Sequence, residues 1–273
     1  MTLATDTPVI FVTGTDTDVG KTIAVAALAC TLAKLSGPAK NRLSVAIDKP
    51  TQTGVAPGEP GDVDEVARLT GFRSTTEGIR LRAPMAPAAA AVRERAALPA
   101  LGEHVSRITQ LTQNHDLVVV EGAGGVLVRL DGFGHTLADL AASFGHDAAA
   151  IVVCRSGLGT LNHTELTLEA LRSRGVRVAG IIIGSWPNNP SAIDLDNRRY
   201  LDSVGVPLLG AIPEGSSRLN PTVFRESAPG WLPLSNPRTR GSGPSQNTGF
   251  PSRELIEAKA TAPHTTTAPG HGL

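Results

Sequence analysis

The chain has 273 residues, 41% of them hydrophobic, enough to bury a sizeable core in one large or two small domains. Lysine plus arginine equals aspartate plus glutamate at 25 each, so the net charge argues against bulk binding to nucleic acid or an anionic membrane. No run of about 18 apolar residues offers a membrane span, Met1–Pro8 lacks a secretion signal, and the two cysteines read as reduced, which together indicate a cytoplasmic protein.

In chain order, Val9-Ile10-Phe11-Val12 makes a short buried strand. A loop from Gly14 to Gly20 follows, then Lys21-Thr22 and an Ala/Leu-rich helix from about Gly20 to Leu35. Strand, glycine-bounded loop, Gly-Lys-Thr and helix form a phosphate-binding loop. Backbone N–H groups of the loop and the helix start point at phosphate, Lys21 supplies a cation, and the Thr22 hydroxyl can bind Mg²⁺. Nucleotide contacts are therefore expected over Asp18, Val19, Gly20, Lys21, Thr22 and Ile23. Gly14 and Gly20 are separated by one residue more than the common spacing. Asp16 and Asp18 are acidic in a loop that holds anions, which points to a cationic or amine-bearing substrate as well. Cys30 falls in this helix and reads as buried.

Leu43–Ile47 reads as a second strand, running into the loop Asp48-Lys49-Pro50-Thr51-Gln52-Thr53-Gly54. Loops past strand C-termini build the site of an open α/β sheet, which places Lys49 and Thr53 among ligand contacts. A short helix, Asp62–Leu69, follows a Gly/Pro-rich connection. Asp62 has two competing roles, helix N-cap or Mg²⁺ contact, and spacing does not choose between them. Arg80–Val92 reads as an extended loop entering a helix, and Leu98–Gln113 as a longer helix. The third strand, Asp116–Val120, ends in Glu121-Gly122-Ala123-Gly124-Gly125. An acidic residue ending a buried strand near a phosphate loop contacts Mg²⁺, and the glycines let the backbone approach phosphate closely.

Leu137–Phe144 reads as a helix and Ala148–Cys154 as the fourth strand, with no histidine obviously paired to Cys154. The loop Arg155-Ser156-Gly157-Leu158-Gly159-Thr160-Leu161-Asn162-His163-Thr164 opens a helix from about Leu161 to Arg174, with Thr160 as its cap; its free N–H donors suit a carboxylate. Val178–Ile183 is the fifth strand, Ile193–Val204 the last core helix, and Pro207–Ile212 the sixth strand. Gly184, Ser185, Pro213, Glu214 and Gly215 follow these strand ends as weaker nucleotide contacts. Continuous apolar strands separated by helices predict an α/β fold: one domain over 1–234, a parallel sheet with helices on both faces. From Ser235 to Leu273 the chain turns rich in Ser, Pro, Gly and Thr, which predicts a disordered tail.

Three segments, Gly14–Thr22, Lys49–Gly54 and Glu121–Gly125, resemble ATP-dependent dethiobiotin synthetases, as does the helix start Gly159–Thr164. The resemblance spans roughly Val9 to Leu234 and implies a homodimeric P-loop ligase that uses Mg²⁺. It implies that 7,8-diaminononanoate and CO₂ give a carbamate, that ATP phosphorylates it, and that the second amine closes the urea of dethiobiotin. By the same resemblance Lys21, Lys49 and Thr17 serve catalysis, and Thr53 and Asp18 face the substrate. Thr22, Asp62 and Glu121 hold Mg²⁺, and Gly157–Asn162 cradle the substrate carboxylate across the subunit interface. Two departures stand out. Asp18 replaces a common glutamate, and Gly184-Ser185-Trp186-Pro187 precedes Asn188 where the family commonly reads adenine, leaving nucleobase preference open.

A glutamine-dependent cobyrinate-type amidating ligase needs a Cys-His domain that the chain lacks. A nucleotide-switch ATPase of the ParA or MinD type carries an extra early lysine where Thr13-Gly14-Thr15 stands here.

Overall fold

A computed structural model describes residues 7–35 and 43–234. The expected tail, 235–273, lies outside the described residues. Seven strands form one parallel sheet in the order β3-β2-β4-β1-β5-β6-β7: β1 Val9–Gly14, β2 Val45–Thr53, β3 Thr75–Leu81, β4 Leu117–Gly125, β5 Ala148–Cys154, β6 Val178–Trp186 and β7 Leu208–Pro213. Among the described residues eight α-helices connect and cover them: α1 Lys21–Leu35, α2 Asp62–Thr70, α3 Pro87–Glu94, α4 Leu101–Thr112, α5 Leu137–Ala142, α6 Thr160–Arg172, α7 Ala192–Leu201 and α8 Pro221–Trp231.

Strand β1 shows why both faces must be covered. Successive side chains point to opposite faces. Ile10 and Val12 enter one core with α1, α2 and α8, while Val9 and Phe11 enter another with α4, α5 and α6. Helix α1 is buried along nearly its whole length, its alanines letting it lie close to the sheet. No described helix is long and apolar enough to cross a membrane.

Several sequence expectations change; β4 and β6 run past Val120 and Ile183, to Gly125 and Trp186. Strand β2 does not stop at Ile47. Beyond Asp48 it loses β4 but stays paired to β3 as far as Thr53↔Leu81. One-sided pairing is where a strand tolerates Pro50. Strand β3 itself was not expected, so the sheet has seven strands rather than six. Nor is the helix near residues 192–201 the last. Helix α8 follows, burying Phe224 and Ala228 against α1, with Phe224 edge-on to Trp231 at 5.2 Å.

The parallel arrangement sets the site. The C-terminal ends of β1, β2 and β4 emerge side by side, with Val12 beside Glu121 and Asp48 beside Val120. The phosphate loop, Lys49 and Glu121 therefore meet at one edge.

Candidate functional site

That edge holds a cavity of about 760 Å³. Thr17, Asp18, Gly20, Lys21, Thr22 and Ile23 line it from the loop and α1. Lys49 and Thr53 reach it from β2, Asp62 from α2, and Glu121, Ala123 and Gly124 from β4. The structure thus brings together most of the residues expected at the nucleotide and the reacting groups.

The loop is shaped by close backbone contact. A side chain at Gly14 would meet the Asp16 carbonyl at 2.6 Å, and Gly20 adopts φ +93° with the Gly184 carbonyl 2.6 Å from where a Cβ would lie. Asp18 holds φ 54°, a left-handed conformation that aspartate tolerates better than most residues. Lys21 Nζ folds back to donate to the Asp16 carbonyl at 2.9 Å.

The charged groups interlock. Lys49 Nζ donates to Glu121 Oε1 at 2.8 Å and to the Gly122 carbonyl at 3.1 Å. It also forms an ion pair with Asp62. Thr22 Oγ1 donates to the same Glu121 oxygen at 2.9 Å. Burial holds the Lys21 ammonium below its ordinary range, and the charge of Lys49 adds to this. Burial acts downward on Lys49 too, but Glu121 and Asp62 outweigh it and the net shift is upward. Burial pushes the Glu121 carboxyl up, and Lys49 and Thr22 offset only part of that.

Asp62 is the first residue of α2 rather than its cap. Gly61 is the cap residue, and its N–H donates to Asp64 Oδ2 at 2.7 Å. Asp64 takes the capping role, which frees Asp62 to face Lys49. Lys49 opposes the burial of the Asp62 carboxyl strongly enough to hold it below its usual range.

The fit to a hard cation rests on one atom. Glu121 Oε2 is buried without a partner. Such an atom costs free energy unless something claims it. With the Thr22 hydroxyl and the Asp62 carboxylate it makes an all-oxygen donor set suited to Mg²⁺. No group of three or more His, Cys, Asp or Glu among the described residues forms a metal cage. The set therefore suits an ion that keeps waters and phosphate oxygens in its shell.

Other expected residues lie elsewhere. Leu158 and Thr160 line a second cavity of about 320 Å³ with Thr15, Asp16, Arg155 and His163. Gly159, at φ 85°, precedes α6, and Thr160 donates its hydroxyl to the Arg155 carbonyl at 2.7 Å instead of capping. The Gly157 carbonyl accepts from Asn197 Nδ2 at 3.0 Å, while Leu161 and Asn162 follow in the first turn. Gly184 packs against Val19, and Ser185 beyond it is exposed. Glu214, between Pro213 and Gly215, donates its N–H to the Trp186 carbonyl at 2.8 Å. None of Gly184, Ser185, Pro213, Glu214 and Gly215 lines the larger cavity; nor does Gly122, whose carbonyl instead receives Lys49. Sequence reasoning missed the apolar wall of Pro84, Met85, Ala86, Pro87 and Val128. Its prolines read as loop punctuation. Cys154 is fully buried, its thiol pushed up to about 11 by burial, which does not suit a nucleophile.

Residues 9–222 match a family model described as an AAA domain. A protein of Rhodococcus jostii strain RHA1, named ATP-dependent dethiobiotin synthetase BioD, is 49% identical over 227 residues, covering 82% of this chain and 94% of that protein. Proteins of the same name from Streptomyces coelicolor and Streptomyces avermitilis are 48% and 50% identical, each over 82% of this chain and over 92% and 91% of their own lengths. A solved ParA family ATPase from Chlorobium tepidum TLS is 14% identical with a TM-score of 0.49, covering 85% of this chain and 95% of that one. A likeness that distant decides nothing about function.

Proposed function

The chain belongs to the family of ATP-dependent dethiobiotin synthetases, and on that premise we infer that it is the ligase that builds the cyclic urea of dethiobiotin from 7,8-diaminononanoate, CO₂ and ATP. One amine takes up CO₂ and releases a proton, leaving a carbamate anion. The carbamate oxygen attacks the γ-phosphorus, ADP leaves, and a carbamic-phosphoric anhydride remains. The second amine attacks the anhydride carbon and gives up a proton, phosphate leaves, and the ring closes.

The difficulty is electrostatic. Two unit charges about 4 Å apart repel by about 4 kcal/mol at the effective dielectric of a protein surface. The observation that carries the reading is that Lys21, Lys49 and Glu121 share one cavity. Lys21 faces the phosphate loop, and Lys49 stands on β2 where the carbamate would approach. Together they offset the repulsion. Thr17, Asp18 and Thr53 line the same space; the threonine hydroxyls can donate to the carbamate, and the Asp18 carboxylate can accept from an amine. The wall of Pro84, Met85, Ala86, Pro87 and Val128 suits the alkyl chain. Thr22, Asp62 and Glu121 would hold Mg²⁺, which when bound draws charge from the phosphate oxygens.

We further propose a cytoplasmic homodimer. The carboxylate cradle at Gly157–Asn162 adjoins a different cavity from the one holding Lys49. A second copy would bring its own cradle to the far end of the substrate. The test is mass detection of the cyclic urea from diaminononanoate, bicarbonate and each nucleoside triphosphate in turn. Product is expected only with diamine and triphosphate together, and the series also gives the nucleobase preference. Absence of product, or hydrolysis stimulated by DNA or lipid, would overturn the reading.

A further inference from the structure

We propose that Arg80 is a positioning residue that presents Asp62 to the cavity. It does not itself line the cavity and acts through the connection between β2 and α2 and through its strand partner Gln52, which does. The proposal rests on the reading of Asp62 as a Mg²⁺ contact.

Strand β3 pairs Arg80 directly with Gln52. The Gln52 carboxamide accepts from the Asp62 N–H at 2.9 Å and donates to the Thr53 carbonyl at 3.2 Å. It therefore ties the first residue of α2 to the strand that carries Lys49. Arg80 holds the approach to that residue. Its Nε and Nη2 fork onto the Glu77 carboxylate at 2.8 and 2.7 Å. Its Nη1 donates to the Glu59 carbonyl at 2.5 Å. Nη2 also reaches Asp64 Oδ2 at 3.4 Å, the oxygen that accepts the Gly61 N–H.

One guanidinium thus joins β3, the connection and the first turn of α2. The packing around Gly61 is tight. A Cβ there would lie 2.9 Å from both Arg80 Nη2 and Glu77 Oε1, and 3.1 Å from Gln52 Oε1. Elsewhere the connection is tied mainly to itself, by the Glu59 N–H to the Ala56 carbonyl at 3.1 Å and the Ala56 N–H to Glu59 Oε2 at 3.2 Å. Pro57, Gly58, Glu59 and Pro60 are exposed, and Val55 meets the Leu81 carbonyl only at 3.4 Å. A planar fork with several donors fixes such a segment, where a point charge on a flexible stem does not.

The bland alternative is a surface ion pair, which contributes little to stability and nothing to the site. Binding of a non-hydrolysable ATP analogue, with and without Mg²⁺, separates the two. Arg80→Met should reduce the gain in analogue affinity conferred by Mg²⁺ by about tenfold, the low end for partners that orient metal ligands. Affinity without Mg²⁺ should stay at the wild-type value. Arg80→Lys should restore part of the gain. The double variant with Asp62→Asn should be no worse than Asp62→Asn alone, since one residue acts through the other. If Arg80→Met does not fold, judged by its thermal transition, Arg80→Lys alone must still reduce the gain. A wild-type Mg²⁺ gain in the folded Arg80 variant, or losses that multiply in the double variant, would overturn the proposal while leaving the function intact. An inert Asp62→Asn would sink the metal reading and this proposal together.

Discussion

Asp48 and Lys49 are neighbours on β2, both buried, and each sits in a charged network on its own side of the sheet. The Asp48 network is closed. Its Oδ1 accepts from Arg107 Nε at 2.7 Å and from Thr76 at 2.7 Å, and its Oδ2 accepts from Arg107 Nη2 at 3.1 Å. Arg107 passes on to His104 Nδ1 at 3.0 Å. The Lys49 network is open, because Glu121 lines a large cavity and keeps Oε2 unpartnered. His104 Nε2 is also unpartnered, but His104 lines neither of the two cavities described. Burial and charge pairing alone therefore do not mark a functional site. An unpartnered acceptor on a residue that lines a cavity is the better marker.

Substitution of each neighbour should break the two networks differently. Lys49→Ala removes the cation that we propose offsets charge in the phosphoryl-transfer step, so turnover should fall at least about 10²-fold. Steady-state kinetics at saturating substrates would reject the role if the loss stays under about threefold. Asp48→Asn leaves Arg107 facing a neutral amide. Breaking a buried pair this way should cost about 3 kcal/mol of stability, the low end of such effects because Arg107 is partly exposed. Urea unfolding measures that loss, while turnover per folded molecule should stay at the wild-type value. A variant that unfolds normally but turns over poorly would make Asp48 part of the active site and erase the contrast.

The same contrast explains what was legible beforehand. Continuous apolar runs such as Ala148–Cys154 and the Gly-Lys-Thr at 20–22 carry their structure locally, and the sheet and phosphate loop were readable from them. Strand β3 was not. Thr75-Thr76-Glu77-Gly78-Ile79-Arg80-Leu81 is half-buried along nearly all its length and is ordered by pairing with β2, a partner distant in sequence. Helix α8 hid behind Pro221 and Pro229, though proline at a first helical position is favourable. Gly54–Gly61 separates Asp62 from β2, so its choice between capping and ion pairing depends on a contact with Lys49 that spacing cannot express. The site's cations were legible because a motif names them. The apolar wall and the Arg80 contacts were not, because they exist only after the chain has folded.

The closed network should also reveal itself through pH. Burial, then the charge of Arg107, holds the His104 imidazole below its ordinary value of 6.5. The geometry agrees, since a neutral ring offers Nδ1 to the Arg107 donor. The unfolded chain therefore takes up this proton at a higher pH than the folded one. Stability from this source is complete above the unfolded value and is lost as pH falls through 6.5 toward the folded value. Urea unfolding at about pH 7.5 and about pH 5 should show the wild type losing more stability than His104→Gln, which keeps an acceptor but does not titrate. The variant starts lower through lost packing, so the gap between the two proteins should narrow on acidification. This is the smallest of the expected effects, one titration against a lost catalytic charge or a broken buried pair. Parallel losses in both proteins would mean that His104 titrates as it does in the unfolded chain. The network around Asp48 would then be open to water, and its difference from the Lys49 side would disappear.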